Sequence, residues 1–155
     1  MDGYDYSSAG VYFVTVCTKE RQNFFWEKNV GPANSWPEKL SPLGCFTLQS
    51  IQSIPSHYKT VVVENCVIMP NHIHLLLRFD EIPDGQLIAG PTLSQVVSSL
   101  KRIVSKHAGF PLWQHSFHDH IVRNEQDFAE IYRYIEENPL KWDLDRYFLR
   151  TESAV

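Results

Sequence analysis

Two apolar rhythms divide the chain. Val11-Tyr12-Phe13-Val14-Thr15-Val16-Cys17 and the run from Val61 to Met69 are rich in β-branched and aromatic residues and read as strands. Pro70-Asn71 predicts a turn, and the chain from Asn71 or His72 to Phe79 then returns as a third strand antiparallel to the second. Elsewhere the spacing is helical. Leu48, Ile51 and Ile54 lie three apart and predict a helix from Gly44 to about Tyr58. Leu93, Val96, Val97, Leu100, Val104 and His107 follow one helical face. Thr92 with Gln95 forms a capping box at its start, and Gly109 stops it. A short strand is expected over His118 to Ile121. Asn124 then caps a last helix with the apolar stripe Phe128, Ile131, Tyr132 and Ile135, and Pro139 ends it at Asn138. Residues 19 to 43 and 80 to 91 carry the prolines and glycines of loops. The order β-α-β-β-α-β-α predicts an α+β sandwich of the ferredoxin-like type, an antiparallel sheet with helices on one face.

Length and composition narrow this picture. The 155 residues suit one domain over 1–155 with one core, and a 43% apolar fraction supports a folded chain. No stretch approaches the roughly 18 consecutive apolar residues of a membrane span. The start, Met1-Asp2-Gly3-Tyr4-Asp5, has no basic and apolar leader, so a cytoplasmic protein is expected. Cys17, Cys45 and Cys66 are widely spaced and odd in number, which reads as reduced, partly buried thiols. The net charge of −4 argues against a generic DNA-coating protein, although a local basic patch steers a ligand whatever the total. Lys101, Arg102 and Lys106 form the densest cationic cluster, with Arg21, Arg123, Arg133 and Lys141 as additions. A solvated helix face and a phosphate-contact surface explain the cluster equally well.

The candidate chemistry starts at His72 and His74. Alternate side chains of a strand share a face, so both imidazoles project together and make half of a metal site. Tyr134 lies about 200° around the last helix from Tyr132, off the expected core stripe. Asn138 follows four residues later, over the same flank. An amide oxygen is a competent ligand for Mg²⁺ or Mn²⁺, while imidazole is more comfortable with Mn²⁺. His118 and His120 also share a face and read as a structural or solvated pair. Trp113 reads as a buried aromatic joining helix to strand.

Taken together, Pro70-Asn71-His72-Ile73-His74, Trp113-Gln114, Asp119-His120-Ile121-Val122-Arg123-Asn124 and Tyr134-Ile135-Glu136-Glu137-Asn138-Pro139 resemble the single-tyrosine HUH transposases, most closely the REP-associated tyrosine transposases. The resemblance spans most of the C-terminal two-thirds, and the family's fold is the sandwich derived above. It implies that His72 and His74 bind a divalent metal, Mg²⁺ or Mn²⁺, that Asn138 completes the protein ligands, and that Tyr134 is the nucleophile. It also implies a hairpin-containing single-stranded DNA as partner, with Lys101, Arg102, Lys106 and Arg123 as candidate DNA contacts. A homodimer is compatible with it. The expected chemistry is cleavage and rejoining of single-stranded DNA through a 5′-phosphotyrosine. Glu130 and Glu137 flank Tyr134 at helical spacing, and either can serve as the base. Two rivals keep parts of the pattern: a non-catalytic nucleic-acid module on the same sheet, and a metal-dependent hydrolase with no covalent step.

Overall fold

The computed structural model describes residues 10–27, 39–81 and 90–144. The elements are β1 (Gly10–Cys17), α1 (Pro42–Gln52), α2 (Ile54–His57), β2 (Val61–Met69), β3 (His72–Phe79), α3 (Leu93–Ala108), β4 (His118–Ile121) and α4 (Glu125–Glu137). A 3₁₀ turn, Lys19–Arg21, follows β1, and another, Asn138–Leu144, continues α4. Parts of the two expected loops, 28–38 and 82–89, lie outside the described residues.

The strands form one antiparallel sheet in the order β2-β3-β1-β4, the expected ferredoxin-like arrangement. β1 and β3 are central, which explains their near-continuous apolar runs. Helix ends follow local chemistry. The Thr92–Gln95 capping box forms as expected, and Gly109 closes α3 in the left-handed conformation at φ 85°. The single helix expected from Gly44 to about Tyr58 is instead two. It starts earlier, at Pro42, where Ser41 Oγ accepts from the Gly44 amide at 3.0 Å. It breaks at Ser53, because Pro55 has no amide proton for the ladder and its ring crowds the preceding turn. Gly44 lets this helix approach the 24–25 segment; a Cβ there would run into the Phe25 carbonyl.

Alternation along the central strands separates two layers. Tyr12, Val14 and Val16 of β1 and Ile73, Leu75 and Leu77 of β3 face one side, where they pack with Leu93, Val96, Val97, Leu100 and Val104 of α3 and Ile51 of α1. The other side holds a smaller cluster of Val67, Met69 and Leu76 with Ile135 of α4. The expectation of helices on one face therefore holds for α1, α2 and α3 but not for α4. The last helix crosses the opposite face because that face is also apolar and needs cover. Burial pushes the Cys66 thiol up to about 11, with Glu136 adding to the effect, so it is a poor nucleophile. Cys17 and Cys45 are also free thiols. No helix among the described residues is long and apolar enough to cross a membrane.

Candidate active site

The imidazole pair sits at the start of β3, on the α4 side of the sheet. His72 and His74 are both fully buried. Their outer nitrogens are occupied: His72 Nδ1 meets Asn71 Oδ1 at 2.8 Å, and His74 Nδ1 meets Thr15 Oγ1 at 2.9 Å. Their inner nitrogens converge, with the two Nε2 atoms 3.2 Å apart. Asn71 is itself clamped. Its carbonyl accepts from the Thr18 amide at 3.0 Å and from Thr18 Oγ1 at 3.1 Å. Its Nδ2 donates to the Arg21 carbonyl at 3.4 Å. That carbonyl is presented by a turn in which Glu20 and Arg21 take φ of 57° and 54°. Two successive non-glycine residues there cost about 1–3 kcal/mol each, the kind of backbone strain that collects at functional sites.

This clamp decides a tautomer. With Nδ2 committed to Arg21, the Asn71 oxygen faces His72, and an amide oxygen only accepts. His72 therefore carries its proton on Nδ1 and keeps a lone pair on Nε2. Two lone pairs at 3.2 Å repel, so a proton or a cation must lie between the rings. Thr15 serves either case. Its hydroxyl donates to His74 Nδ1 when His74 Nε2 holds the proton, and accepts from Nδ1 when it does not.

Tyr134 reaches this pair from α4. Asn124 caps the helix by accepting from the Asp127 amide at 2.8 Å. Asp127 Oδ2 in turn bonds His120 Nε2 at 2.9 Å and the Arg123 amide at 3.1 Å, which ties the helix start to β4. The His120 bond, with the Arg123 amide behind it, holds the Asp127 carboxyl below the usual range. So anchored, α4 seats the Tyr134 ring edge-on against His74, centroids 5.4 Å apart, and against Phe13 at 6.0 Å. Phe13, Thr15, His74, Glu130, Ile131 and Tyr134 line an open cleft of about 390 Å³. Tyr134 remains 41% exposed there. Tyr132 departs from the expected core stripe. It is 38% exposed and stacks only on Phe128, because the helix meets the sheet along Ile131 and Ile135 and leaves both tyrosines on its flanks.

Asn138 lies one turn beyond Tyr134. It is buried, and its Nδ2 has no hydrogen-bond partner. A buried orphan amide is costly unless something else engages the side chain. Two neighbouring imidazole nitrogens make half of a divalent-cation site, and no group of three His, Cys, Asp or Glu side chains gathers among the described residues. His118 and His120 are exposed on β4, as a solvated pair should be. Their register, opposite Thr15 and Phe13, nonetheless puts them on the cleft side of the sheet.

The four candidate cations are not brought together. Lys101, Arg102 and Lys106 sit on α3, behind the sheet from the imidazoles. Lys101 does not lie on a free polar face: its Nζ donates to the Gln114 and His115 carbonyls at 2.8 and 3.2 Å, and burial lowers its pKa. Trp113 is the expected buried joint, donating from Nε1 to the Lys101 carbonyl at 3.1 Å. Arg123 alone of the four lies outside α3, at the β4–α4 junction. Sequence reasoning missed Asn71 and Thr15 as supports of the imidazoles. The adjacency of Asn71 to His72 was a readable signal, whereas Thr15 carried none before the β1–β3 register was known.

No family model matches the chain. An uncharacterised protein of Haemophilus influenzae is 30% identical over 167 residues, covering 94% of this chain and 89% of the relative. A second protein of that organism, named "Putative REP-associated tyrosine transposase", is 26% identical over 145 residues, covering 88% of this chain and 74% of the relative. The chain is thus similar in sequence to a protein named as a REP-associated tyrosine transposase. A REP-associated tyrosine transposase solved bound to a REP hairpin shares the fold, with a TM-score of 0.62 at 19% identity over 94% of this chain and 77% of that one.

Proposed function

We propose that this chain cleaves and rejoins single-stranded DNA through a 5′-phosphotyrosine on Tyr134, with a divalent cation held by His72, His74 and Asn138. The Tyr134 ring against His74 at an open cleft, 5.4 Å between centroids, is the observation that carries this reading. A phosphodiester lying in the cleft would meet the phenol and His74 at once, which supplies the proximity that in-line attack requires. The Tyr134 oxygen forms a bond to phosphorus, the P–O3′ bond breaks, and a free 3′-OH leaves. Attack by another 3′-OH reverses the step and joins strands. Mn²⁺ fits the two imidazoles better than Mg²⁺ does. Bound there, the ion neutralises charge on the phosphate oxygens. The structural relative's REP hairpin suggests a hairpin-containing single strand as substrate. Denaturing-gel capture of a DNA–protein adduct tests the proposal.

Two further results are expected. Asn71→Ala removes the acceptor that holds the His72 proton on Nδ1. It should weaken Mn²⁺ binding about 10–100-fold in calorimetric titration, the usual cost of losing an outer-shell partner. Binding at the parent's affinity would remove Asn71 from the site. Arg123→Ala should weaken single-strand binding and flatten its salt dependence by about 0.7 in log–log slope, one phosphate contact's worth. Arg102→Ala, on the far layer, serves as the comparison. Equal slopes for all three proteins would place Arg123 outside the DNA contact.

A further inference from the structure

We propose that Glu130 is the general base that takes the Tyr134 proton, an assignment that rests on the phosphotyrosine reading above. The spacing on α4 left Glu130 and Glu137 equivalent, and the fold separates them. Glu130 lies one helical turn before Tyr134 on the same flank, and it lines the cleft with Tyr134 and His74. It is exposed, and its Oε1 accepts from the Gln126 amide nitrogen at 3.2 Å, so the carboxylate is steadied without an ion pair to another described residue. Glu137 is half-buried, does not line the cleft, and is paired to Lys141 Nζ at 2.9 Å. That ion pair holds the Glu137 carboxylate toward Lys141 rather than toward the cleft. His74, the other proton acceptor lining the cleft, has Nδ1 on Thr15 and Nε2 on His72. Among the described cleft-lining residues, that leaves Glu130 to receive a proton from Tyr134.

The step balances as follows. The Tyr134 O–H proton passes to a Glu130 carboxylate oxygen, directly or through one water, while the phenolic oxygen forms its bond to phosphorus. The P–O3′ bond breaks, and the leaving 3′ oxygen takes a proton from solvent. In rejoining, the attacking 3′-OH loses its proton to solvent, and protonated Glu130 returns one to the departing Tyr134 oxygen.

The test uses the full chain and a fluorescent hairpin oligonucleotide, taken from strands the parent cuts in a library of hairpins with randomised flanks. Glu130→Gln should lower the single-turnover rate of adduct formation about 10²–10⁴-fold near neutral pH, the contribution of a positioned base. Acetate should restore part of the rate to Glu130→Ala, while Glu137→Gln should react like the parent. Mn²⁺ titration without DNA should be the same for Glu130→Gln and the parent. A Glu130→Gln protein that forms adduct at the parent's rate, or that loses Mn²⁺ affinity as a ligand variant would, overturns the assignment. Tyr134→Phe separates the two levels of the reading. If it forms no adduct while Glu130→Gln is fully active, only the base is wrong. If it cuts as the parent does, the phosphotyrosine reading fails as well.

Discussion

Tyr134→Phe should fold like the parent and form no covalent adduct with DNA. The change deletes one oxygen and keeps the ring that packs on Phe13 and His74. The residue is 41% exposed, so little core packing depends on it, and the shift in melting temperature should be small. The chemical effect is total, because a phenyl ring has no nucleophile to place on phosphorus. Cleavage and adduct formation should therefore vanish together on denaturing gels. Tyr132→Phe is the internal control: its ring touches Phe128 on the other flank of α4, and it should cut as the parent does. The same pair of variants separates the rivals. A metal-dependent hydrolase keeps cutting after Tyr134→Phe, and a binding module cuts in neither form. Retained cleavage by Tyr134→Phe would end the nucleophile assignment.

On the proposed metal reading, His72→Ala should abolish the response of the protein to Mn²⁺. Its Nε2 is one of two imidazole nitrogens 3.2 Å apart, and without it a single histidine of the pair remains. A ligand that binds only the folded state at 100 times its Kd stabilises by about 2.7 kcal/mol. For a domain of this size that raises the parent's melting temperature by roughly 5–10 °C. The variant should show no such rise at the same Mn²⁺ concentration, and calorimetry should give no binding isotherm. The substitution also leaves the buried Asn71 oxygen without its partner, which costs about 1–3 kcal/mol with or without metal. The two effects are read separately, the second from melting in a chelator and the first from the change on adding Mn²⁺. An undiminished Mn²⁺ shift in His72→Ala would mean that the cation binds elsewhere.

Local chemistry in the chain determined most of the elements. The Thr92–Gln95 box and Gly109 set both ends of α3, and Pro70-Asn71 set the hairpin between β2 and β3. These signals act within a few residues, so no long-range contact is needed to read them. Alternation along β3 likewise put His72 and His74 on one face, because the side-chain period of a strand is two. Pro55 was the readable signal that α1 and α2 are separate helices. The pairing of β1 with β3 and β4 could not be read, because register is a contact between distant segments. That register brings Thr15 to His74 and puts His118 and His120 on the cleft side. The face chosen by α4 was equally hidden. Its apolar positions are compatible with either side of the sheet, and the side is decided by the uncovered cluster of Val67, Met69 and Leu76. From that choice follow the outward turn of Tyr132, the seat of Tyr134 beside His74 and the burial of Asn138. The cations show the same division. Their clustering on α3 was plain in the chain, but only the packing of α3 behind the sheet removed Lys101, Arg102 and Lys106 from the cleft, because a four-stranded sheet lies between them and the imidazoles.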